Sequence, residues 1–207
     1  MPETSRSDRK HAQILDAATA TFLRHGYAGA SMDQVAATAG VSKQTIYKHF
    51  RDKEQLFTRL VLDSVQEIDA LVQMVSTTLG DSTDPAADLS DLAENFLSAL
   101  LQPELVALRR LVIAEAERFP HVGRAWYEQG FERVLATLSS CFAQLDRLGQ
   151  LATPDPALAA SHFVGMVLWI PVNRVMFSGE AYGKAEIARL ARAGAEAFLA
   201  AYGRRAR

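Results

Sequence analysis

"GVSKQTIYKHFRDKE", residues 40–54, sets Lys, Gln, Thr, Tyr and His around three sizeable apolar side chains, Val41, Ile46 and Phe50. Gly40 stands between two short helix signals. Ser31 can cap a helix over Met32–Ala39, with Asp33 in its first turn on the positive end of the dipole. Ser42 can cap the next, over Lys43–Phe50, and Asp52 one more, with Glu54 early in it. Ala36, Gly40 and Ile46 stand four and six residues apart. A helix-turn-helix needs a small residue where two helices cross, a turn residue that tolerates positive φ, and an apolar lock on the second helix. Val35, Ala39 and Val41 are expected to complete a small core with Phe22 and Phe50.

On a wheel of about 100° per residue, Ile46 and Phe50 mark the inward side of the third helix. Lys48 lies opposite, with Gln44 and Thr45 beside it; Tyr47 and His49 flank the apolar stripe. An amide, a hydroxyl, an ammonium, a phenol and an imidazole can all bond base edges and phosphate oxygens. A solvated helix more often pairs Glu with Lys at four-residue spacing. The segment Lys43–Phe50 holds no acid.

Outward from this stretch, the whole chain reads as helix: Ala, Leu, Glu, Gln and Arg dominate, and no segment alternates with period two. Gly26, Gly29, Gly40, "GDSTDP" (80–85), "QP" (102–103), "FP" (119–120), "GQLATPDP" (149–156) and "SGEAYGK" (178–184) punctuate it into about nine helices. The first is expected over Ser7–His25, closed by Gly26 in a left-handed cap. The fourth is expected to run unbroken from Lys53 to Leu79, about 40 Å at 1.5 Å per residue, as a stiff connector. The fold class is therefore all-α: a three-helix helix-turn-helix domain over 1–55, joined by the long fourth helix to a larger helical domain over 56–207.

Of 207 residues, 49% are hydrophobic and 22% charged, enough for a packed core without bulk disorder. The net charge of −2 conceals an asymmetry, since residues 1–55 hold eight Lys and Arg against six Asp and Glu. That surplus favours a polyanionic partner at the N-terminal quarter. The polar start "MPETSRSD" is expected to fray. No basic-then-apolar leader and no apolar run near 18 residues is seen, so neither a signal peptide nor a membrane partner is expected. Cys141 is the single cysteine, which excludes an intramolecular disulfide and suits a reducing cytoplasm.

The run "ATATFLRHGYAGASMDQVAATAGVSKQTIYKHFRDKEQLF" resembles the DNA-binding region of the tetracycline-repressor (TetR) family of bacterial transcription regulators. The resemblance covers about residues 10–60. It rests on F-x-x-x-G-Y, a hydroxyl residue before the second helix, A-x-x-A-G-V-S, T-x-Y-x-H-F and K-E-x-L-F. It implies that Ser31 and Tyr47 hold phosphates, that Gln44, Thr45 and Lys48 face bases, and that Lys43 and His49 meet phosphate or base. It also implies that Lys53 holds a phosphate beside a helix N-terminus, and that Arg6, Arg9 and Lys10 anchor an N-terminal arm. "RRLVIAEAERFPHVGRAWYEQG" is similar to the C-terminal domain of AefR-like members.

Paired heads read two half-sites, so a double-stranded palindromic operator and a homodimer are expected. The last two helices, about Asp155–Phe177 and Lys184–Tyr202, are the candidate interface. Ile187, Leu190, Ala191, Gly194, Ala197, Phe198 and Ala201 form its seam, unless they pack within the subunit. Phe96, Leu100, Trp126, Tyr127, Phe131, His162, Met166, Trp169 and Asn173 are the candidate lining for a small hydrophobic or aromatic effector. Pro171 is expected to kink its helix by deleting the bond to the Val167 carbonyl. A ligand favouring a tilted fourth helix would then release the heads from DNA.

Catalytic chemistry has no matching pattern. H-E-x-x-H, paired metal-ligand histidines and G-x-S-x-G are absent, and "GEAYGK" (179–184) is one spacer short of a phosphate loop. Neither a metal nor a cofactor is expected. A helical small-molecule enzyme and a helix-turn-helix used only for protein contacts remain the alternatives. The basic, acid-free third helix argues against the second.

Overall fold

The computed structural model describes residues 6–66, 68–80 and 82–204 (of Arg6, Ser7, Asp8 and Gln66, the backbone alone). The start expected to fray and the Arg6 side chain therefore lie outside the described residues. Within them the chain is helical: α1 (Arg6–Gly29), α2 (Met32–Ala39), α3 (Lys43–His49), α4 (Lys53–Gln66), α5 (Ile68–Leu79), α6 (Pro85–Leu100), α7 (Pro103–Glu115), α8 (Pro120–Ala125), a π-helical turn (Trp126–Glu132), α9 (Arg133–Arg147), α10 (Pro156–Ser178) and α11 (Lys184–Tyr202). The segments α8, π turn and α9 follow one another without a gap. α4 and α5 flank Glu67, the one undescribed residue of the expected fourth helix. Counting each series once gives the nine expected helices. Among the described residues, extended pairing is confined to one bridge, Leu151 to Gly203.

Contacts gather into two compact units, one running to Gln66 and including Ala107–Trp126, the other holding Glu67–Val106 and Tyr127–Arg207. This differs from a division at 55/56. α4 packs on α1 and α8, so it belongs to the first unit's core, and the α7–α8 return joins it there.

In the first unit, Ile14 and Phe22 of α1, Val35 of α2, Ile46 of α3 and Leu56, Phe57 and Val61 of α4 are each at most 1% exposed. Leu108, Leu111, Val112, Phe119 and Val122 close the same core. The rings of Phe22, Tyr27, Phe57 and Phe119 pack edge to face, stacked or tilted, with centroids 4.8–5.8 Å apart. Gly26, at φ 67° and ψ 172°, breaks α1, and one more turn follows to Gly29. The positive φ was expected; the continuation was not.

The second unit is a bundle in which α6 packs on α11, α9 on α10 and α5, and α10 on α11. Phe142, Phe163 and Phe198 meet at its centre with centroids 5.0–6.0 Å apart. α6 and α10 start with Pro behind a capping Asp, at Asp84 and Asp155. α10 stays helical through Pro171. Its length and mean hydropathy of 1.3 over an 18-residue window meet those of a membrane span. Here its Phe163 and Val167 face lies in the bundle core.

Candidate nucleic-acid interface

The turn forms as its residues dictate. Ser31 accepts from the Gln34 N–H at 3.2 Å, and the Gln34 Oε1 accepts from the Ser31 N–H at 2.8 Å, a reciprocal capping box. Gly40 ends α2 at φ 62° and ψ 31°. Its N–H and that of Val41 return to the carbonyls of the last turn, at 3.2 Å to Ala37 and 3.1 Å to Ala36. Ser42 then accepts from the Thr45 N–H at 3.1 Å to start α3. Ala36 is buried where α2 meets α3, and Ile46 is fully buried beneath the turn. Gln13 of α1 braces it by donating to the Ala39 carbonyl at 2.8 Å.

With Ile46 and Phe50 held inside, Gln44, Tyr47 and Lys48 are exposed on α3, and Thr45 and His49 are half-buried. The Thr45 hydroxyl lies 2.8 Å from the Ser42 hydroxyl, so it serves the cap as well as the surface. The His49 ring sits 5.8 Å from that of His11, which stacks on Phe50 at 4.9 Å. Ser31 is exposed at the start of α2. The predicted set Ser31, Lys43, Gln44, Thr45, Tyr47, Lys48 and His49 thus clusters on α3 and the start of α2.

Two side chains depart from expectation. Lys53 donates to the carbonyls of Tyr27 at 2.8 Å, Ala28 at 3.4 Å and Ala30 at 2.8 Å, and lies over the Tyr27 ring at 4.5 Å. Its ammonium thus bonds back to the segment that follows the Gly26 break. Lys43 is ion-paired to Asp33, its Nζ 2.8 Å from Oδ1 and 3.0 Å from Oδ2. That contact raises the Lys43 ammonium above its ordinary pKa. α3 is acid-free in sequence, but folding brings an acid from α2 onto its first residue. No sequence motif signals the Lys53 role. Nothing in the spacing of residues 33 and 43 signals their pairing.

α4 begins on Asp52, whose Oδ1 accepts from the Gln55 N–H at 2.8 Å while Oδ2 accepts from Arg51 Nε at 2.8 Å. The backbone bond first, then Arg51, holds this carboxyl below the usual range.

The candidate effector residues do not share one place. Phe96 is 1% exposed in the core of the second unit, Leu100 is half-buried against that core, and Trp126 edges the core of the first. Tyr127 and Phe131 stack on the π turn, 52% and 38% exposed. Met166 and Trp169 are 44% and 67% exposed, and His162 is exposed with them, its Nδ1 2.6 Å from the Tyr202 hydroxyl. The Asn173 amide donates to the Trp169 carbonyl at 2.7 Å. The reason is periodicity: Phe163 and Val167 occupy the buried face of α10, which leaves 162, 166 and 169 on the other face. In the predicted seam of α11, Ala191, Gly194 and Phe198 are buried within their own subunit. A Cβ on Gly194 would stand 2.9 Å from Val167 Cγ2, so this glycine serves the α10–α11 contact. Among the described residues, no three His, Cys, Asp or Glu side chains are placed to hold a metal.

Residues 14–60 match the model of bacterial regulatory proteins of the tetR family, and residues 87–204 that of the AefR-like transcriptional repressor C-terminal domain. The chain is 48% identical to a solved TetR-family regulator from Mesorhizobium loti, over 97% of this chain and 100% of that one, with a TM-score of 0.89. It is 28% identical to the flavonoid-responsive regulator FrrA, over 96% and 99% of the two chains, with a TM-score of 0.74. It also matches the transcriptional activator FasR of Mycolicibacterium smegmatis at 36% over 89 residues, 43% of this chain and 39% of that protein's length.

Proposed function

The chain belongs to the TetR family of bacterial transcriptional regulators, with an AefR-like C-terminal domain, and from that premise we propose that it is a repressor. It binds a palindromic operator as a homodimer and is released by a small hydrophobic or aromatic effector. The observation that carries the DNA reading is the outward face of α3, where Gln44, Tyr47 and Lys48 stand exposed over the buried anchors Ile46 and Phe50. In this reading Gln44, Thr45 and Lys48 meet base edges, and Ser31, Lys43, Tyr47 and His49 meet phosphates or base edges. The AefR-like repressor match supports repression.

The dimer reading is supported by α10. Leu158, Met166, Trp169, Ile170 and Phe177 are 44–86% exposed along it, an apolar surface that an isolated subunit leaves in water. The flavonoid response of FrrA supports an aromatic effector, and the stacked pair Tyr127–Phe131 supplies aromatic surface on a π turn, a feature frequent at functional sites. The effector can weaken DNA binding only by its differential affinity for the DNA-competent and released states.

Duplex fragments selected from the source genome and titrated by anisotropy test the proposal. Six to ten phosphate contacts make affinity fall by about 10³–10⁵ between 50 and 200 mM salt. Affinity that stays flat across that range overturns the DNA reading. Gln44→Ala relaxes sequence choice at one position in each half-site, and unchanged choice removes Gln44 from the base-reading set.

A further inference from the structure

The Asp33–Lys43 pair joins the first turn of α2 to the first residue of α3 on the surface. The start of α2 is already capped by the Ser31–Gln34 box, so Asp33 contributes there only through the helix dipole. The two side chains are 65% and 59% exposed, and an ion pair in that setting adds little to stability. Yet the pair sits on the surface assigned above to DNA, at the first residue of α3 and two residues past Ser31. A carboxylate there repels every phosphate brought near it. It also neutralises the ammonium that would otherwise add one cation to a backbone contact.

Resting on the DNA reading, we propose that Asp33 is a specificity-determining residue. By holding Lys43 and repelling phosphate, it weakens binding to non-operator DNA more than binding to the operator. In a mis-registered complex the heads are held by backbone contacts alone, and an added negative charge acts on the whole of that attraction. In the operator complex the base contacts of α3 add their own binding free energy, so the same repulsion acts on a smaller share of the total. The discrimination ratio then exceeds what the α3 contacts supply.

The test is a double-mutant cycle with the full chain, measured by anisotropy on the selected operator and on a scrambled duplex, across a salt series. Circular dichroism accompanies each variant. Asp33→Asn is expected to tighten scrambled-duplex binding about fivefold. Its salt slope should steepen by about one phosphate contact per head, with operator affinity rising less. Lys43→Gln should weaken both duplexes in the native background, because Lys43 lies in the contact set, and should weaken scrambled binding more in the Asp33→Asn background, where it abolishes most of the gain. Asp33→Asn that is folded and raises operator and scrambled affinity equally, or neither, overturns the proposal while native operator binding upholds the DNA reading. A native protein that binds no duplex in a salt-dependent way overturns both. Should Asp33→Asn fail to fold, Asp33→Ser carries the same predictions, because its hydroxyl tolerates the first helical turn without a charge.

Discussion

Lys53 has an intramolecular partner that its position did not signal. Position and charge suggest a phosphate clamp; in the free chain its ammonium donates to the Tyr27, Ala28 and Ala30 carbonyls. Lys53→Met should leave partly buried carbonyls unsatisfied and cost about 1–3 kcal/mol, read as a lower urea midpoint. The salt slope of DNA binding should move by less than one contact. A slope that drops by a full contact with an unchanged midpoint would return Lys53 to the phosphates. Gln44, Tyr47 and Lys48 needed no such revision, because exposure on a short helix follows from periodicity once Ile46 is known to be inside.

Among the elements, the turn and the helix starts were legible because local chemistry forms them. Gly40→Ala should cost about 1 kcal/mol. No atom lies within 4 Å of the added Cβ, so the loss is purely that of a positive φ, and it appears in a thermal melt. Gly194→Ala costs about 1–3 kcal/mol for a different reason, overpacking against Val167. Asp52→Ala should cost about 1 kcal/mol at neutral pH as a lost cap. The folded-state pKa of Asp52 is depressed, so its charge stabilises the fold above the unfolded value near 3.9 and ceases to do so as pH falls through the folded one. The stability gap between native and Asp52→Ala proteins should therefore narrow on acidification, in urea melts taken at successive pH values. The seam proposed on α11 divides at this scale: Ala191, Gly194 and Phe198 are buried within the subunit, while Ala197 and Ala201 stay exposed. Small residues on a helix permit close approach, but periodicity does not say to which neighbour, and α10 of the same chain took it.

For the whole molecule, the exposed apolar face of α10 is the surface we propose for a partner subunit. Trp169→Glu combined with Ile170→Glu should yield monomers in sedimentation, with the far-ultraviolet spectrum retained and operator affinity falling at least tenfold, a threshold of about 1.4 kcal/mol. Dimers that persist would move the interface elsewhere. The amino-acid order alone determined the all-α class, the helix-turn-helix and which side of α3 faces outward, since caps, glycine φ and a 3.6-residue period act within a few residues. Only the tertiary structure decided that Lys53 points inward, that Asp33 claims Lys43, and that Met166 and Trp169 face out while Gly194 packs in. Each of those depends on which distant side chain occupies the neighbouring space, and spacing along the chain carries no record of that.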